Sequence, residues 1–160
     1  MNERKLIIYS LFYRLGIYLL AVAIAYLLAS ISATQSVVSS LARMGVQVGF
    51  ADRIGMTIQD ITGMAGLFLP MVAFALLFAF LTAALLCHWW GRWRVALYVV
   101  AGAVGMVTIH LTLNLAFGIT PIAIARSSGG LMVQAVAGAV GAYSYIFLLK
   151  RQQSGWIAAP

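Results

Sequence analysis

From Ile61 to Cys87 the chain carries no charged side chain, and Gly129 to Leu149 is equally clean. Val95 to Phe117 is clean as well, unless His110 is protonated. A helix needs about 20 apolar residues to cross a hydrocarbon core about 30 Å thick, so each run is long enough to span. A fourth precedes them: Leu15 to Ile31 is uncharged, and so is Leu6 to Tyr13 on the other side of Arg14. In hydrocarbon the backbone must satisfy its own hydrogen bonds, which leaves helices as the economical solution for runs of this length. Hydrophobic residues make up 64% and charged residues 8% of the 160, against about 45–50% and about 25% in a soluble domain. A soluble fold of this size has nowhere to hide so much apolar surface.

The sequence therefore predicts an all-α polytopic membrane protein, with four transmembrane helices in an antiparallel bundle plus one outer-side amphipathic helix. One membrane domain covers 1–160, with spans at about 6–32, 61–87, 95–117 and 129–149. Asn2 to Lys5 before an apolar run resembles the start of a secretion signal. The run is too long for the apolar segment of a signal and Arg14 interrupts it, so an uncleaved first span is expected.

Lys and Arg counts in short flanks set the orientation. Arg4, Lys5, Arg14, Arg92, Arg94, Lys150 and Arg151 fall on one side, and Arg43, Arg53 and Arg126 on the other. The seven-to-three bias places both termini in the cytoplasm, with a bacterial inner membrane as the expected location. The net charge of +7 is mostly this topological signal. It is not a nucleic-acid footprint, which needs a folded basic surface. The partners it does suggest are the bilayer and its anionic lipids on the cytoplasmic face.

The connections differ in kind. His88-Trp-Trp-Gly-Arg-Trp-Arg94 is short, so spans two and three form a tight hairpin whose tryptophans anchor at the interface. Between spans one and two, Val37, Val38, Leu41, Met44 and Val48 recur at helical spacing opposite Ser36, Ser39, Ser40, Arg43 and Gln47. That pattern predicts an amphipathic helix at about 35–49, flat on the outer boundary or capping the bundle. Thr57-Ile-Gln-Asp60 has the form of a capping box, which would start the second span near Ile58. Pro70 removes a backbone donor and predicts a kink.

Inside the spans, Gly130, Gln134, Gly138 and Ala142 make one small-residue stripe, and Gly105 lies on another with Ala101, Thr108 and Thr112. Such stripes are where membrane helices touch, and Gln134 is a candidate interhelical hydrogen-bonder. His110 and Asn114 point almost opposite to Thr108 and Thr112. An unpaired buried amide costs a few kcal/mol, so that face must meet protein or water. By depth the expected companions are Gln59, Asp60, Arg126, Ser127 and Ser128, with Asp60 and Arg126 as an ion pair. The candidate polar site is thus Asp60, His110, Asn114 and Arg126.

Catalytic chemistry finds little to work with. His88 and His110 lie at different depths, so one chain cannot supply bis-histidine haem ligation. One cysteine, two histidines and three acids do not make a metal site. Cys87 alone forms no internal disulfide, and no nucleophile triad, phosphate loop or mid-span acid stands out. No cofactor and no enzyme activity are expected. The first expectation is an accessory or scaffold subunit acting through helix–helix contacts, as a homo-oligomer or in a larger membrane complex. The alternative is a small transporter or channel with an outer-leaflet polar site around His110, which would need a polar route continuing inward.

Overall fold

The computed structural model describes residues 3–117 and 123–157, with side chains at 8–115, 124, 125 and 127–152. Five helices account for nearly all of them: α1 (Glu3–Arg43), α2 (Phe50–Ala65), α3 (Phe68–Trp89), α4 (Arg94–Phe117) and α5 (Ser128–Ile157). Four of these, α1, α3, α4 and α5, are long and apolar enough to cross a membrane. The chain is an integral membrane protein.

The amphipathic stretch after span one is not a separate helix at 35–49. It continues α1 without a break, because no glycine or proline intervenes between Gly16 and Gly45. The 41 residues of α1 extend about 60 Å, twice the hydrocarbon thickness of about 30 Å. The helix stops at Gly45, which has φ +83°. Gly45 N–H donates to the Ala42 carbonyl at 3.1 Å and Val46 N–H to the Leu41 carbonyl at 3.1 Å, the paired bonds of a Schellman cap.

The amphipathic helix of this protein is instead α2, which has no buried residue. Its row Phe50, Ile54 and Ile58 is exposed, while Thr57, Asp60, Ile61 and Met64 lean inward. Thr57 and Asp60 are therefore mid-helix and do not cap a helix beginning near Ile58. Gly49 stands at the true N-terminus without a side-chain cap, and Asp52 supplies the acid of the first turn. The chain breaks again at Gly66 and Leu67, so α3 begins at Phe68. Pro70 consequently sits in a first turn, where its missing N–H has no partner to lose. The expected kink is replaced by this helix boundary.

The four long helices pack antiparallel through small residues. A Cβ built on Gly102 would stand 2.6 Å from the Gly138 carbonyl oxygen and 2.6 Å from the Ala142 Cβ, so α4 and α5 touch backbone to backbone. Gly141 meets Ala21 and Ala25 of α1, and Gly105 meets Ala75 and Ala79 of α3. Tyr18 and Tyr26 tie α1 across: the Tyr18 hydroxyl donates to the Ala73 carbonyl at 2.5 Å, and Tyr26 donates to the Ile61 carbonyl. Two ends of the bundle follow from this order. The tryptophan end holds the α3–α4 turn with Trp89, Trp90 and Trp93, and the α2 end holds the α1–α2 hairpin.

Candidate functional site

His110 is buried, 2% exposed. From Arg94 it lies 110 − 94 = 16 residues along α4, about 24 Å at the helical rise. Its ring stands 5.9 Å from that of Phe68, which opens α3. Phe68 in turn contacts Tyr26 at 5.9 Å, so the imidazole faces the interior of the bundle.

Gln134 of α5 is the polar neighbour of that imidazole. It is fully buried, and its Nε2 donates to the Ala29 carbonyl at 3.1 Å and to Ser32 Oγ at 3.3 Å. Both donor bonds go to α1, which leaves Oε1 to accept. Among the described residues Oε1 makes no hydrogen bond, nor do His110 Nδ1 and Nε2 or the buried Ser30 Oγ. The amide carbonyl and the imidazole are complementary, since a neutral imidazole carries one N–H donor. Leaving such a group unsatisfied when buried costs about 1–3 kcal/mol. Gln134 thus ties α5 to α1, with the His110 imidazole of α4 beside it.

Asp60 belongs to a neighbouring contact. Its Oδ2 accepts from Thr34 Oγ1 at 2.8 Å, and Gln35 Nε2 reaches Thr57 Oγ1 at 3.5 Å. These bonds hold α2 against the last third of α1. The Arg126 side chain, and with it the expected Asp60–Arg126 pair, lies outside the described residues. Asn114 is exposed on α4, one turn beyond His110.

The small-residue stripe of α5 meets three different surfaces. Gly130 abuts the Ile124 carbonyl, within a 3₁₀ turn at Ala123–Arg126. Gln134 bonds α1, and Gly138 with the fully buried Ala142 receives α4. Gly105 has a further consequence. With Ala75 and Ala79 it floors a groove of about 690 Å³ between α3 and α4, walled by Phe74 and Phe78. Both phenylalanines are 64% exposed, so the groove opens outward, toward lipid. Thr82 and Thr108 line it, yet their hydroxyls bond back to carbonyls of their own helices at 2.8 Å. Thr112 lines it as well, and the rest of the lining is apolar.

Three features escape the sequence reading. Ser30 lies in a run that reads simply as apolar helix, Thr34 falls between the first span and the expected amphipathic helix, and Phe68 reads as one more span residue. For Ser30 and Thr34 the available signal is their place on the same face of α1 as Tyr26, at four-residue spacing. Among the described residues, no three of His, Cys, Asp and Glu gather closely enough to hold a metal ion.

The class these observations define is a four-span, all-α integral membrane protein. Comparison of the chain with protein-family models, with curated proteins and with solved structures found no match in any of the three.

Proposed function

We propose that this protein is a non-catalytic membrane scaffold or accessory subunit, and that it works by receiving a transmembrane helix in the α3–α4 groove. The groove itself carries the reading. Lipid tails are as apolar as the walls, so association in the bilayer depends on close packing over small residues. Ala75, Ala79 and Gly105 supply such a floor on a surface that the bundle leaves open. Thr82 and Thr108, bonded within their own helices, ask for no polar partner.

The transporter reading has weaker support. Between His110 and the tryptophan end the core is filled by Leu76, Met106, Ala142 and Ile146, each at most 1% exposed. Below them the rings of Phe80, Tyr98 and Tyr145 pack with centroids 4.6–5.8 Å apart. A polar route inward from His110 would have to cross both layers.

A photo-crosslinking residue at position 108, compared with one at the lipid-facing position 136, tests the proposal in living cells. The expected result is a protein adduct of defined mass from 108 that disappears on Ala101→Leu, which fills the groove. Equal adducts from both positions, or lipid adducts alone, would overturn it.

A further inference from the structure

The α3–α4 groove has a ridge beside it. Phe74, Phe78, Leu81 and Leu85 of α3 are each more than half exposed. They follow one another at steps of four, three and four residues. That is the 3.5-residue repeat by which two helices pack along their length, the side chains of one entering gaps on the other. A second row on α3, made of Phe68, Val72, Leu76, Ala79 and Ala83, lies about 150° round the helix and is buried in the bundle. The bundle therefore uses one face of α3 and leaves a helix-packing seam on the other.

Ridge and groove stand at one depth. Phe74 and Phe78 are the chain neighbours of Ala75 and Ala79, which floor the groove together with Gly105. A Cβ added to Gly105 would stand 3.2 Å from the Ala79 Cβ, so the floor is backbone and methyl groups, over which another helix can come close. The space above it is about 690 Å³. Copies of one chain enter a bilayer in the same orientation, so a twofold axis relating two of them runs along the membrane normal. Each side chain then meets the other copy at its own depth. Phe74 and Phe78 of one copy thus face the groove floor of the other, and the reverse contact forms at the same time. Such an isologous pair closes at two copies. An unrelated helix would need bulky side chains placed at that depth, whereas a second copy brings them by symmetry.

We infer that the helix received by the α3–α4 groove is α3 of a second copy of this chain, with Phe74 and Phe78 of each copy seated in the groove of the other. This rests on the groove being a helix-binding surface and names its occupant.

The test uses two full-length copies with different tags in the same cells, one of them carrying a photo-crosslinking residue at position 108. The expected adduct holds both tags. Phe78→Ala, placed only in the copy without the crosslinker, is expected to reduce that adduct about fivefold, the loss that marks an interface anchor. Phe74→Ala in the same copy repeats the measurement should the first variant fail to fold. Phe147→Ala, also in that copy and exposed on α5, is expected to leave the adduct within about twofold. An adduct that joins one tag to a different protein overturns the second copy as occupant while the groove reading stands. Absence of any protein adduct removes both. An adduct with both tags that ignores Phe78→Ala and Phe74→Ala, or falls as far with Phe147→Ala, overturns the seam.

Discussion

Gln134 commits its amide donors to α1 and presents its carbonyl oxygen to His110 on α4. Removing it by Gln134→Leu should lower stability in detergent by about 0.6–2 kcal/mol, the range for polar contacts between membrane helices. His110→Leu alone removes a donor beside the Gln134 carbonyl, which is already unsatisfied. The double variant replaces both with apolar groups, which can be almost neutral. Its cost should therefore fall below the sum of the singles. Additive losses in thermal unfolding would show that the two side chains do not act together. The sequence makes His110 and Gln134 visible because an imidazole and an amide in an apolar run demand partners. Ser30 and Thr34 make no such demand in the sequence, because a hydroxyl in a helix can bond back to its own carbonyls, although here Ser30 Oγ makes no bond and Thr34 Oγ1 lies closer to Asp60 than to the Ser30 carbonyl, 2.8 against 3.1 Å. The Thr34 bond to Asp60 could not be read from spacing, since it joins residues 26 apart.

At the scale of elements, glycines with the same sequence appearance have opposite roles. Gly138 lies against the Gly102 backbone, whereas Gly63 on α2 has nothing within 4 Å of an added Cβ. Gly138→Ala should force α4 from α5 and cost about 1–3 kcal/mol, as overpacking does. Gly63→Ala should stabilise by about 0.4–1 kcal/mol, by restricting the unfolded chain without meeting anything in the folded one. Unfolding of the two variants in one detergent checks the pair, and a shift of the same sign in both would contradict the assignment. The four spans were legible because charge gaps and length leave few alternatives. The division between α1 and α2 was not. Polar residues from Ser32 to Ser40 suggest a change of element, yet they are compatible with continued helix, and only the positive φ of Gly45 ends it. The true boundary at Gly66 and Leu67 hides inside an uncharged run that reads as one span.

For the whole molecule, the length of α1 and the order of the charges define two unlike ends. Thr34 and Gln35 hold α2 to the last third of α1, and the length of α1 predicts that the turn at 44–49 lies beyond the membrane band on the α2 end. Met44 is 70% and Val46 50% exposed there. The opposite end carries Arg14, Arg92, Arg94, Lys150 and Arg151, and basic residues in short flanks are retained in the cytoplasm. Four crossings would return the chain to the side from which it started, so this bias predicts one orientation for the whole protein, with both termini in the cytoplasm. In a Cys87→Ser background, Val46→Cys should react with a membrane-impermeant maleimide added to intact cells. Arg92→Cys, in the turn at the tryptophan end, should react only after the membrane is opened. The reverse pattern would invert the topology. Labelling of neither cysteine before opening would place the hairpin at 44–49 out of water, and α1 would then have to tilt steeply to fit its length of about 60 Å within the bilayer.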